Sequence, residues 1–399
     1  MDTAPLPPLV EPGPEPSPQR RARFHRHTIL PEIGTIGQRR LLASKVLVIG
    51  AGGLGSPVLL YLTAAGVGTI GIIDPDHVET SNLHRQVIHT AADVGRRKVD
   101  SAAEKMAAID PDVEIRRHIA LLDPDNAVEL FAQYDLIIDG TDNFATRYLV
   151  NDAAALARRP YVWGSILRFE GQVSVFWEHA PAGRAVGYRD LYPTPPEPGT
   201  VPSCSEAGVL GALCGTVGSL MATEAVKLIC GIGEPLLGRL LCYDALTMSQ
   251  RTLTVRKDPA AAPITDLDGV RALIDGPERP EPAADERITV DQLAALRGGP
   301  DAPTVLDVRE DDEVAIAALT GAVHVPTGEL LALIGRGADA VATRIGVPVG
   351  TEIVVLCKTG IRSAFATTRL REIGFTGARD LTGGIDEWAR RIDPAMPRY

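Results

Sequence analysis

Two clusters of residues carry the chemistry legible in this chain. The first is Gly50-Ala51-Gly52-Gly53-Leu54-Gly55, a glycine-rich run between a short apolar stretch and an amphipathic one. Glycines there let the backbone approach a phosphate, and a helix starting at Gly55 supplies N–H donors and partial positive charge. Asp74 follows about nineteen residues on, at the end of the next apolar stretch, where a carboxylate accepts ribose hydroxyls. Alone, this pattern says nucleotide and leaves NAD and ATP both open. Ser81-Asn82-Leu83-His84-Arg85-Gln86 and Lys98 then add a guanidinium and an ammonium. Two extra cations suit a triphosphate better than a dinucleotide. Gly140-Thr141-Asp142-Asn143 closes another strand-like run, so Asp142 stands where open sheets bind ligands and can hold Mg²⁺ on phosphates. Each piece also has a plain reading: solvated surface charges for Arg85 and Lys98, a helix N-cap for Asp142.

The second cluster is Cys357-Lys358-Thr359-Gly360-Ile361-Arg362-Ser363, directly after Val354-Val355-Leu356. A cysteine so placed faces successive backbone N–H groups, a helix N-terminus and two cations, Lys358 and Arg362. All of these stabilise a thiolate or the terminal sulfur of a persulfide. Arg362 lies five positions after Cys357, giving Cys-x4-Arg rather than the Cys-x5-Arg of cysteine-based phosphatases. The shorter loop suits a sulfur atom better than a phosphoryl group. Cys204 sits in the polar run Pro202-Ser203-Cys204-Ser205-Glu206 before a glycine-spaced helix, where a thiol is acidified and reactive. Cys214, Cys230 and Cys242 lie among apolar neighbours and read as inert core residues.

Strands and helices in alternation are needed to hold these clusters. Strands are expected at Val46–Gly50, Ile70–Asp74, Glu114–His118, Leu136–Asp139 and Val173–Trp177, with a helix at Ser56–Ala65. The alternation implies a mostly parallel, doubly wound α/β sheet. A second α/β pattern begins near Arg287, with strands at Thr304–Val308 and Ile353–Cys357. Residues 256–285, rich in Ala, Pro and Asp, read as a linker. Residues 1–20 carry seven prolines and read as an extended, disordered arm. The chain thus divides into an arm (1–20), a first domain (21–255), a linker (256–285) and a second domain (286–399).

With 399 residues, two or three domains are expected at roughly 150 residues each. A net charge of −11 without a long basic run argues against a nucleic-acid or anionic-membrane partner. Five cysteines without a C-x-x-C pair argue against a disulfide framework and point to a reducing, cytoplasmic setting. The uncharged stretch 207–223 is shorter than the roughly 20 residues of a membrane span. Its Gly208, Gly211, Gly215 and Gly218 predict a buried or subunit-interface helix with one small-residue face.

Residues 23–256 resemble the adenylating domain of the ubiquitin-activating superfamily, in particular the bacterial MoeB/ThiF/MoeZ-type activators of sulfur-carrier proteins. The matching runs are RFHRHTILPEIG, VLVIGAGGLGSPVLLYLTAAGVG, IIDPD, SNLHRQVIH, VGRRKV, DGTDNFATRYLVND, GSILRFEGQVSVF and PSCSEAGVLG. The resemblance implies an ATP site built from Gly50, Gly52, Gly53, Gly55, Asp74, Ser81, Asn82, Leu83, His84, Arg85, Lys98, Asp142 and Asn143. It implies Mg²⁺ on Asp142 and a homodimer in which Arg26 reaches the neighbour's triphosphate. Many such relatives hold a zinc on two C-x-x-C pairs. The aligned positions here are Gly187, Asp190, Ala261 and Ile264, so no structural zinc is expected.

Residues 287–399 resemble the rhodanese family through Leu306-Asp307-Val308-Arg309-Glu310, Gly321-Ala322-Val323-His324-Val325-Pro326, the Cys357 loop and Gly383-Gly384-Ile385-Asp386-Glu387-Trp388. The usual Gly-His-Ile-Pro-Gly appears as Ala317-Ala318-Leu319-Thr320-Gly321, which puts the local turn in question. Together the resemblances imply a small ubiquitin-like carrier ending in Gly-Gly as substrate. Its adenylate takes sulfur from a persulfide on Cys357, charged by thiosulfate or a cysteine desulfurase, and Cys204 resolves the acyl disulfide. The implied pathways are molybdopterin, cysteine, thiamine or thiolation. Three other readings remain: a thioester-forming activator whose second domain only docks, an NAD-dependent oxidoreductase, and a non-catalytic scaffold.

Overall fold

The computed structural model describes residues 5–196, 208–274, 282–297, 299 and 302–398. They form two units, each with its own sheet and core, one ending at Ile274 and the other running from Pro282 to the C-terminus.

In the first unit the strands are β1 (Lys45–Ile49), β2 (Thr69–Ile73), β3 (Glu114–His118), β4 (Leu136–Asp139), β5 (Tyr161–Leu167), β6 (Glu170–Phe176), β7 (Arg239–Asp244) and β8 (Ser249–Thr254). They join in the order β3-β2-β1-β4-β5-β6-β7-β8. β3 to β5 are parallel, and β5 to β8 run antiparallel as a meander. β2 and β4 are buried throughout, because helices cover both faces of the parallel half. That is why they read as unbroken apolar runs. β5, β7 and β8 were not among the expected strands, and β8 is exposed along its whole length.

The glycine-spaced helix is Gly211–Cys230. It is long and apolar enough to cross a membrane, yet 61% of its apolar window is buried inside this unit. A Cβ on Gly218 meets Pro57 of the helix Gly55–Ala65 at 2.3 Å, and one on Gly211 meets the His84 carbonyl at 2.2 Å. Gly215 has open space around it and Gly208 lies before the helix, so the small-residue face is only half used. Cys214 and Cys230 are core residues, and burial pushes the Cys230 thiol up to about 11. Cys242 departs from expectation in being partly exposed.

Two segments differ from their expected disorder. Leu6 is buried in the core, the Leu9 amide donates to the Leu228 carbonyl, and the Gly13 amide donates to the Arg39 carbonyl. Ser17 caps the helix Pro18–Arg23. Prolines forbid interior helix and strand, but they leave such a segment free to dock on helix ends that need partners. Within 256–285, the helix Asp268–Ile274 buries Val270, and Arg271 pairs with Asp125 at 2.6 Å. These residues belong to the first unit, not to a linker.

The second unit holds β9 (Arg287–Ile288), β10 (Thr304–Asp307), β11 (Val323–His324), β12 (Ile353–Leu356) and β13 (Ala378–Leu381) in the parallel order β11-β10-β12-β13-β9. The altered turn before β11 survives: Gly321 takes φ +80°, and the Ala322 amide donates to the Leu319 carbonyl.

Ion pairs hold the region around Gly187 and Asp190. Lys257 Nζ donates to Glu178 at 2.7 and 2.9 Å and stands 3.4 Å from buried Asp190. Asp190 also accepts from the Gly187 and Asp258 amides. The cluster ties the chain leaving β8 to the loop after β6. Among the described residues no group of three or more His, Cys, Asp or Glu is arranged around a metal position. Lys257→Ala is expected to cost about 1 kcal/mol at low salt and less at high salt, where the lost ion pairs are screened. Thermal melts at low and high salt measure both.

Candidate functional site

In the first unit a cleft of about 280 Å³ opens at the C-terminal ends of β1, β2 and β4. This is the point where the strand order reverses, at the β1–β4 neighbours, which is where open α/β sheets bind ligands. Gly50, at φ +89°, turns the chain out of β1. The helix Gly55–Ala65 then begins without a side-chain cap or an acidic residue in its first turn. In that turn the Ser56 amide already donates to the Gly52 carbonyl and Pro57 has no N–H, so the helix start offers an anion its partial positive charge rather than a row of free amides.

Two contacts fix that loop. Asp74 accepts from the Ala51 amide at 2.8 Å and, with its other oxygen, from the Asp76 amide at 2.8 Å. His89 Nε2 lies 3.0 Å from the Ala51 carbonyl, and Nδ1 lies 2.9 Å from the Ser101 hydroxyl. A carbonyl can only accept, so Nε2 carries the proton and Ser101 donates to Nδ1. Burial lowers the His89 pKa and keeps the ring neutral.

The cleft brings together Gly50, Gly52, Gly53, Asp74, Arg85, Lys98, Asp142 and Asn143. Gly55, Ser81, Asn82, Leu83, His84 and Arg26 do not line it. Gly55 is a packing glycine: a Cβ there would sit 1.9 Å from the Gly50 carbonyl. Asn82 is spent on its own turn, accepting from the Glu79 amide. Ser81 and His84 aim Arg85, whose Nη1 lies 3.0 Å from the Ser81 carbonyl and 2.9 Å from the His84 ring. Arg26 is exposed on the short helix His25–Thr28.

Lys98 is buried and pairs with Asp76 at 2.9 Å, so its ammonium is held in place before any phosphate arrives. Asn143, rather than Asp142, is the N-cap of the helix Phe144–Leu156, accepting from the Thr146 amide. That leaves Asp142 exposed on the cleft wall with its carboxylate available to a cation. Asp139 behind it is fully buried, and burial pushes its carboxyl up. It accepts from the amide and hydroxyl of Thr141, which anchors the loop.

Several lining residues escaped the sequence reading. Arg147 is buried against Phe144 and Trp163 and donates to the Thr141 carbonyl. Its position one turn past the Asn143 cap was the available signal. Gln86 lines the cleft with a buried, unpartnered Oε1. Ala120, Leu121 and Leu122, with Ile73 and Pro75, give the cleft an apolar part beside its glycines and cations.

Residues 24–263 match the ThiF family and residues 289–391 match the rhodanese-like domain. The chain belongs to the ThiF family. A probable adenylyltransferase/sulfurtransferase MoeZ of Mycobacterium tuberculosis is 53% identical over 396 residues, covering 99% of both chains. A sulfur carrier protein adenylyltransferase of Thermus thermophilus is 52% identical over 255 residues, 63% of this chain and 94% of that one. An adenylyltransferase and sulfurtransferase MOCS3-1 of Zea mays is 37% identical, covering 94% and 83%. Among solved structures, E. coli MccB shares the fold, with TM-score 0.52 and 19% identity over 58% of this chain and 69% of that one.

This ThiF-family chain carries its second site where β12 ends. Cys357 is fully buried, and the Gly360 amide, at φ +98°, donates to its Sγ at 3.2 Å. The Cys357 and Lys358 carbonyls point away, accepting from the Ile385 and Asp386 amides at 2.9 and 3.0 Å. A Cβ on Gly384 would meet those carbonyls at 2.4 and 2.5 Å, so the paired glycines exist for this approach. Of the two cations expected beside the sulfur, Arg362 is held bidentate by Glu313 at 2.6 and 2.7 Å. The ion pair is buried, and it moves the burden of sulfur stabilisation from charge to the loop amides. Cys204 lies outside the described residues.

Arg147→Ala is expected to weaken ATP binding about tenfold by calorimetry, the loss of one charge-assisted contact. Gly384→Ala is expected to slow sulfur loading of Cys357 on the order of 100-fold by displacing the loop, with ATP affinity unchanged.

Proposed function

We propose that the chain adenylates the C-terminal glycine of a small ubiquitin-like sulfur-carrier protein ending in Gly-Gly, and converts it to a thiocarboxylate. The observation that carries this reading is one chain holding both a cleft lined by glycines, three cations and an exposed carboxylate and a buried cysteine that accepts from a loop amide. The MoeZ and MOCS3 relatives, named as adenylyltransferases and sulfurtransferases over nearly the same length, support it.

In the first half-reaction a carrier carboxylate oxygen attacks the α-phosphorus of ATP, and the bond to the β-phosphate breaks with pyrophosphate leaving. The Gly50–Gly55 loop seats the phosphates, Asp74 holds the ribose, and Arg85, Lys98 and Arg147 face the charge that develops. Lys98 exchanges its Asp76 contact for phosphate without leaving its place. The exposed Asp142 carboxylate fits a hard cation that takes its remaining ligands from phosphates and water. Mg²⁺ held there supplies charge neutralisation on the leaving pyrophosphate. Arg26, exposed and away from its own chain's cleft, suits a role in a neighbouring subunit of a homodimer.

In the second half-reaction the terminal sulfur of a Cys357 persulfide attacks the acyl carbon, and AMP leaves. A second thiol then attacks the acyl disulfide at the Cys357 sulfur, releasing the thiocarboxylate and leaving a disulfide between that thiol and Cys357, which a dithiol reductant reopens before the next loading. Cys204 is the proposed second thiol. Thiosulfate or a cysteine desulfurase charges Cys357, in the cytoplasm.

ATP–pyrophosphate exchange with a panel of Gly-Gly carriers, followed by intact mass after thiosulfate, tests both halves. Asp142→Ala is expected to lower exchange by about 100-fold or more, and Cys357→Ala to keep exchange while abolishing thiocarboxylate. Exchange without sulfur gain in the wild type points instead to a thioester-forming activator with a docking-only second unit. Unchanged thiocarboxylate turnover in Cys204→Ala removes Cys204 from the mechanism.

A further inference from the structure

Behind Cys357 lies a buried polar pair that sulfur transfer, as described, does not use. Ser363 opens the helix Ile361–Glu372, and Asp380 lies in β13 beside it. The Ser363 hydroxyl is 3.4 Å from Cys357 Sγ and 2.5 Å from Asp380 Oδ1. Ser363 and Cys357 have no exposed surface, and Asp380 is 5% exposed. A hydroxyl owns one proton, so it cannot donate to the sulfur and the carboxylate at once. With Asp380 ionised, Ser363 donates to Asp380 and its oxygen receives the thiol S–H. With Asp380 protonated, the acid donates to Ser363, and the hydroxyl proton turns to a thiolate. The two arrangements differ by one proton moved from sulfur to carboxylate.

We propose that Ser363 and Asp380 form an internal proton relay for Cys357, with Asp380 acting through Ser363 as a positioning residue that never touches the sulfur. The inference rests on Cys357 being the sulfur acceptor of the preceding reading. The closed loop excludes bulk water from Sγ, so Ser363 is the proton acceptor within hydrogen-bond reach. In the loading step the thiol proton passes to Ser363 Oγ, and the Ser363 proton passes to Asp380. The Cys357 sulfur then forms a bond to the sulfane sulfur of thiosulfate, whose own S–S bond breaks, and sulfite leaves with the electron pair. Asp380 returns the proton when the disulfide left on Cys357 is reduced and Cys357 departs as a thiolate.

The surroundings of Asp380 suit that role. Burial pushes its carboxyl up to about 6, against the pull of Ser363 and Arg287, making it a stronger base than a solvated carboxylate yet ionised at neutral pH. Arg287 is its register partner in β9. On the helix Ile361–Glu372 the cations are engaged elsewhere: Arg362 with Glu313, Arg369 with Glu372, and Arg371 with Glu286 of the turn Ala284–Glu286. That turn also carries Asp285. β12 contributes Val354, Val355 and Leu356 and no charge.

The test is the rate of persulfide formation on Cys357 in the full chain, by quenched intact mass with thiosulfate at saturating concentration across pH 5 to 9 (about two units either side of neutrality). The wild-type rate is expected to fall as pH drops through about 6, where Asp380 takes a proton and the relay closes. Asp380→Asn is expected to lose that limb and to load roughly 100-fold more slowly at neutral pH, with the final persulfide yield retained. Ser363→Ala keeps the Asp380 charge but breaks the link, and is expected to show the same loss, with no further loss in the double variant. A wild-type rate and pH profile in either single variant overturns the relay, including the case where Asp380→Asn is slow only through misfolding. No persulfide on the wild-type chain overturns the sulfur-acceptor reading, and the relay with it.

Discussion

Both sites depend on one constraint: backbone N–H groups at the C-terminal edge of a parallel sheet must be free and must point at the ligand. A peptide group offers its N–H to a ligand only when its own carbonyl is satisfied elsewhere and no Cβ stands in the way. The first unit meets this with His89 on the Ala51 carbonyl, whose peptide N–H belongs to Gly52 on the cleft wall, while Asp74 takes the Ala51 amide and anchors the loop. The second meets it by capturing the Cys357 and Lys358 carbonyls with the amides that begin the helix Gly384–Arg391. In each case a glycine at positive φ, Gly50 or Gly360, makes the turn.

Charge is handled differently in the two units. In the first, cations line an open cleft, with Lys98 already paired to Asp76 and Arg147 braced on aromatic rings, so their positions are set before phosphate arrives. In the second, Arg309 is locked to Asp307 and Arg362 to Glu313, all four buried. A buried ion pair contributes geometry more than field. The chemistry of the sulfur site therefore falls to dipoles and to whatever polar groups lie behind the cysteine.

The Lys257 cluster is a tie made by electrostatics. One lysine reaching Glu178 and Asp190 joins the chain leaving β8 to the loop after β6. An ion-pair tie of this kind forms without thiolates and without a metal, and it weakens with ionic strength.

Spacing alone was enough for much of this protein. Glycines after an apolar run, acids at strand ends and a cysteine before a glycine turn are local patterns, and local patterns survive in a one-dimensional reading. The parallel core strands were legible for the same reason, since burial on both faces leaves unbroken apolar runs. Membership of the SNLHRQ run in the site was not decided locally. Its motif marks the region, but only the folded turn shows Ser81 and His84 aiming Arg85 while Arg147 and Gln86 line the cleft. The proline-rich start looked disordered because composition reports the elements a segment cannot form, not the helix ends it can dock against. Ser363 and Asp380 meet only because β13 lies beside β12, and Arg362 loses its free charge only because Glu313 reaches it across the core. Those contacts join residues far apart in the chain, and no spacing rule encodes them; the packing of the sheet decides them.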